Sequence, residues 1–122
     1  DQCNSQGVRG LLDEIISILK SHPNVKRVVF FENTKIRAVY SHNLFLDVYY
    51  NPDNNRYDIS LIFNNKRVLG WDNAPHHTKV STHPHHRHEF DQIFESDVKN
   101  LIEDLPKLLD YVDKFISKHK LL

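Results

Sequence analysis

Five stretches between Val28 and Asp72 read as β-strands, and joints of only a few turn-forming residues separate them. No other feature constrains the fold as tightly. Val28-Val29-Phe30-Phe31 is a short β run. Ile36, Ala38 and Tyr40 then alternate with Lys35, Arg37 and Val39, and Leu44, Leu46, Val48 and Tyr50 with Phe45, Asp47 and Tyr49. Tyr57, Ile59, Leu61 and Phe63 alternate with Asp58, Ser60 and Ile62, and Leu69 and Trp71 with Val68, Gly70 and Asp72. A period of two is the signature of a strand with unlike faces. The joints Glu32-Asn33-Thr34, Ser41-His42-Asn43, Asn51-Pro52-Asp53-Asn54-Asn55 and Asn64-Asn65 are turn chemistry. Asparagine tolerates positive φ, so Asn64-Asn65 suits a two-residue hairpin. Such short joints allow only antiparallel neighbours, which predicts a meander of about five strands.

Helices are expected on either side of the meander in sequence. Val8, Leu11, Leu12, Ile15, Ile18 and Leu19 form one apolar stripe, with Asn4 or Ser5 as the cap and Ser21-His22-Pro23 as the stop. Residues 1–6 are polar and expected to fray. Beyond residue 94, Ser96 is the expected cap of a helix through Val98, Leu101, Ile102 and Leu105. Pro106 predicts a break there, with Asp104 as a new cap before Leu108, Leu109, Val112, Phe115 and Ile116. The expected fold is α+β: residues 1–122 as one domain, with an N-terminal helix and a broken C-terminal helix on one face of the sheet. The other face carries Arg37, Asp47, Tyr49, Asp58, Ser60 and Asp72. It is either a solvated surface or the floor of a site, with Arg37 near Asp47 or Asp58.

Between the last strand and the last helix lies DNAPHHTKVSTHPHHRH, residues 72–88, with six of the nine histidines. Each of its two prolines is followed by a histidine pair, His76-His77 and His85-His86. Clustered histidines offer near-neutral pKa values and ring nitrogens. One use is acid–base catalysis on a phosphodiester. In it His86 and His76 are the leading acid and base, and His77, His85 and His88 can replace either. Arg87 and Arg67 would bind the phosphate, with Asp72 and Asn73 beside them, and no cofactor is required. A second use is zinc or nickel binding through the His-x-His pairs His83/His85 and His86/His88, with Asp72, Glu89 or Asp91 as oxygen ligands. A strand places such a pair about 7 Å apart on one side. The spacing matches no structural zinc pattern. Alternatively, the rings are solvated or bond to backbone. His22, His42 and His119 lie at a helix end, a turn and the tail, and read as structural.

Composition narrows the partners. Sixteen basic residues balance sixteen acidic ones, so any affinity for RNA comes from a local patch. The single cysteine, Cys3, excludes a disulfide within the chain and points to a reducing compartment. No apolar run approaches the ~20 residues of a membrane span, and no signal-peptide pattern opens the chain. The expected location is cytoplasmic.

Arg67-Val68-Leu69-Gly70-Trp71-Asp72-Asn73-Ala74-Pro75-His76-His77, followed by Thr82-His83-Pro84-His85-His86-Arg87-His88, resembles the TumE-like toxin family of prokaryotic toxin–antitoxin modules. The matching positions are Asp72, Asn73, Pro75, His76, His77, Pro84, His85, His86 and His88. His83 stands where the family has an apolar ring, Arg87 replaces a lysine, and Gly70-Trp71 replaces an Arg-Tyr pair. The resemblance implies a toxin with a cognate antitoxin protein as partner, and it does not name the reaction. With the histidine chemistry it leads to the expectation of a metal-independent ribonuclease acting on RNA. The rivals are a histidine-rich metal-binding protein and a toxin that acts by binding alone. A homodimer is compatible with each.

Overall fold

The computed structural model describes residues 2–31 and 35–122, with side chains from Gly10 onward. The expected turn Glu32-Asn33-Thr34 and the side chains of Cys3, Asn4, Ser5 and Val8 lie outside the described residues. Helix α1 spans Gln2–Lys20, so it begins ahead of both expected caps. It ends where Pro23 demands, with the Ser21 hydroxyl donating to the Ile18 carbonyl. The five expected strands follow as β1 (Arg27–Phe31), β2 (Lys35–Ser41), β3 (Leu44–Asn51), β4 (Arg56–Phe63) and β5 (Lys66–Asp72). Asn64 and Asn65 turn the β4–β5 hairpin at φ of 52° and 67°.

The meander does not stop at five strands. β6 (His86–Glu89) and β7 (Gln92–Glu95) extend it, giving a seven-stranded antiparallel sheet in sequence order. Neither carries the apolar alternation that marks β1–β5, because one face of β6 holds histidines and the other an Arg–Glu pair. The expectation of five strands is corrected on this point.

The last helix, α2 (Leu101–His119), is likewise one unbroken element rather than a broken one. Asn100, not Ser96, caps it by accepting the Glu103 N–H, while Asp104 turns back to accept the Lys99 and Asn100 N–H groups. Pro106 lies inside the helix and removes one backbone donor there. The seven buried residues along one side of α2, from Leu101 to Ile116, hold it on the core through that defect. Both helices supply core residues to the sheet face that carries Ile36, Leu46, Ile59, Leu69 and Trp71, and Tyr111 of α2 meets Trp71 edge-on. No helix among the described residues is long and apolar enough to cross a membrane.

Replacing Pro106 with alanine should stabilise the protein. The gain expected is about 1–2 kcal/mol, less than the ~3 kcal/mol cost of a helix-interior proline, because alanine also frees the unfolded chain. Urea unfolding followed by circular dichroism measures it. A loss of stability on this change would show that Pro106 contributes packing that outweighs its missing N–H.

Candidate functional site

The open face of the sheet is read off the strand register. One cross-strand row holds Lys35, Tyr49, Asp58, Asp72, His86 and Glu95. The next holds Arg37, Asp47, Ser60, Gly70, His88 and Ile93. Alternation along β6 therefore puts His86 and His88 on the same face as Asp72, one strand away.

Asp72 joins them. Its Oδ1 lies 2.9 Å from His86 Nε2, and its Oδ2 lies 3.2 Å from His88 Nε2. The Ala74 N–H also donates to Oδ1, at 2.9 Å. His77 arrives from the loop over β5–β6, and its ring meets His86 at 4.8 Å and His88 at 5.6 Å between centroids. One ligand nitrogen from each of His77, His86 and His88 lies within 4.8 Å of the other two. His86 is 1% exposed and Asp72 7%, whereas His77 is half-buried.

The loop that delivers His77 is tied at several points. The Thr82 hydroxyl donates to the His85 carbonyl and accepts the Ser96 N–H, which ties the loop to the chain ahead of α2. His83 Nδ1 lies 3.2 Å from the His77 carbonyl oxygen. His86 Nδ1 lies 2.9 Å from the Pro84 carbonyl oxygen and can donate there while Nε2 faces Asp72 and the cluster; the ring donates to both oxygens at once only in its protonated form. Burial lowers the pKa of His88 below its ordinary 6.5, and the positive charge of Arg67 adds to this against the pull of Asp72. The ring is neutral at pH 7, as a proton acceptor or metal ligand must be.

The other expected site residues divide. Arg67 is exposed, and its side chain lies beside Gly70 on the way to His88: a Cβ on Gly70 would meet Arg67 Cδ at 3.2 Å. His76 is exposed and stands outside the three-histidine group. His85 stacks on Tyr57, with its Nδ1 2.8 Å from the phenol oxygen. Asn73 is buried and accepts the Tyr57 N–H, a structural role at the β3–β4 turn and away from the cluster. Arg87 is on the helix-covered face, because it alternates with His86 and His88. Its Nε donates to Glu89 at 2.8 Å, and Tyr111 of α2 donates to the same carboxylate oxygen. Arg87 is thus turned away from the histidines it was expected to assist. The metal set of His83, His85, His86 and His88 is not assembled either: His77 takes the place of His83 and His85. The signal available for the pairing of His86 and His88 was their i, i+2 spacing. Nothing local in the sequence singles out His77 from His76.

A family model described as Toxin TumE matches residues 13–116. No curated protein and no solved structure matches the chain.

Two outcomes follow for stability. Asp72→Ala leaves two buried rings without their shared acceptor and should cost about 3 kcal/mol in urea unfolding. His85 and His88 both have lowered pKa values, through burial first. They are neutral in the fold and bind protons more readily once unfolded. Their contribution is complete above pH 6.5 and is lost as pH falls through the lowered folded values. The urea unfolding midpoint should therefore fall as pH is lowered below 6.5, and His85→Gln should flatten part of that fall.

Proposed function

This chain belongs to the TumE family of toxins, and from that premise we propose that it acts on RNA as a metal-independent ribonuclease. The observation that carries the reading is the convergence of His77, His86 and His88 around Asp72 on the open sheet face. His88, neutral and backed by Asp72, takes the proton of a ribose 2′-hydroxyl. The 2′-oxygen attacks phosphorus, the bond to the 5′-oxygen breaks, and His77 protonates that leaving oxygen. The products are a 2′,3′-cyclic phosphate and a free 5′-hydroxyl. Arg67, whose side chain lies beside Gly70 and whose charge acts on His88, supports the charge gathering on the phosphate. His86 is too buried to reach substrate and positions Asp72. The acid and base roles thus pass from His86 and His76 to His77 and His88. A cognate antitoxin protein is the partner that family membership brings with it.

A second reading is favoured by one specific contact. The His86 Nδ1–H given to the Pro84 carbonyl is the outer-sphere bond that orients metal-bound histidines. His77, His86, His88 and the Asp72 carboxylate would then supply the nitrogen and oxygen donors that zinc takes.

Tag-free protein incubated with end-labelled RNA in excess EDTA separates the two. Cleavage to cyclic phosphate ends, reduced at least ~100-fold by His88→Ala and by His77→Ala, is the expected result. Activity that vanishes in EDTA and returns with zinc would transfer the histidines to the metal reading. Cleavage unchanged in both variants would sink the assignment altogether.

A further inference from the structure

West of the histidines along the same two rows, the open face holds a cleft of about 310 Å³ lined by Lys35, Asp47, Tyr49, Asp58, Ser60 and Ile62. Its carboxylates differ. Asp47 is neutralised, with Arg37 donating to both of its oxygens at 2.7 and 3.0 Å and Lys35 at 3.5 Å. That Arg37 guanidinium also lies 3.8 Å above the Phe45 ring, so it is fully used inside the protein. Asp58 has no ion pair among the described residues, and its one side-chain bond comes from the Ser60 hydroxyl at 3.0 Å. It is directly opposite Asp72 in the register, where a second carboxylate is repulsive. Asp58 is exposed, so its carboxylate is within reach of a ligand from solvent.

We propose that this cleft receives a guanine base next to the scissile phosphate of single-stranded RNA; the inference rests on the ribonuclease reading for its setting. Tyr49, paired with Asp58 in the register, offers a ring for the base to stack on. Asp58 offers two acceptor oxygens, one of them oriented by Ser60. Guanine is the RNA base whose Watson–Crick edge carries two adjacent N–H donors, N1–H and N2–H, and so matches a carboxylate in parallel. Lys35 and Arg67 flank the cleft and provide positive charge for the phosphates on either side. Gly70, between Ser60 and His88 in the register, adds no side chain of its own there, and the flexible Arg67 stem lies over it between the cleft and the cluster. Two strand spacings separate Asp58 from His86, about 10 Å, a span that one nucleotide bridges.

The test uses the full chain and short fluorescein-labelled RNA with 2′-O-methyl groups, which blocks attack by the 2′-oxygen. Oligonucleotides containing a single guanine in a uridine background are compared with all-uridine ones by fluorescence anisotropy. The expected result is about tenfold tighter binding of the guanine oligonucleotide. That preference should disappear in Asp58→Asn while weak general binding remains, and binding of both should weaken in Tyr49→Ala. Circular dichroism confirms that each variant is folded. Equal binding of both oligonucleotides by the wild type, or a preference untouched by Asp58→Asn, overturns the proposal. Guanine-dependent binding without any cleavage of unmodified RNA would support the cleft and remove the nuclease. Cleavage without base preference would do the reverse.

Discussion

The carboxylate of Asp72 is the contact on which the far half of the sheet depends. It ends β5, turns the chain by accepting the Ala74 N–H, and receives His86 and His88 from β6. β6 and β7 are four residues each and bury no apolar side chain of the kind that secures β2–β5. Ion-pair and hydrogen-bond contacts to buried groups therefore do for them what hydrophobic burial does for β2–β5. The same carboxylate gathers the histidine rings. The pairing of this edge and the geometry of the candidate site both rest on one side chain.

β6 is used on both faces. Its histidines face the open side, while Arg87 and Glu89 face the helix and meet Tyr111 of α2. The α2 helix in turn is held on the sheet by its apolar side. A rigid helix thus backs the strand that carries His86 and His88, and the loop carrying His77 is pinned through Thr82 to the chain just ahead of that helix. His77 is the one member of the three borne on loop rather than strand, so the site draws its nitrogens from two different kinds of element.

Much of the fold was legible because local rules and tertiary packing agreed. The alternation in residues 35–72 named the inward residues of β2–β5 correctly, and Asn64-Asn65 turned as its chemistry requires. Arg37 paired with Asp47 as one of two options. Legibility failed where a tertiary contact overrode a local rule. Pro106 argues for a break, yet buried leucines on both sides carry the helix through it. His86–Glu89 became strand because Asp72, on the neighbouring strand, gave polar residues a reason to pair.

The histidine segment shows the division most clearly. Residue type and spacing alone determined that a histidine cluster would lie between residues 72 and 88, that His86 and His88 would share a side if extended, and that this stretch resembles the TumE family. Which rings converge was decided only by the fold. Strand alternation sent Arg87 to the helix side, Tyr57 drew His85 away by stacking, and the loop path brought in His77 rather than His76. The reason is geometric: spacing along a chain sets which side chains can be neighbours within one element. Contacts between a loop and two strands depend on where the backbone returns, and that is set by packing across the whole sheet.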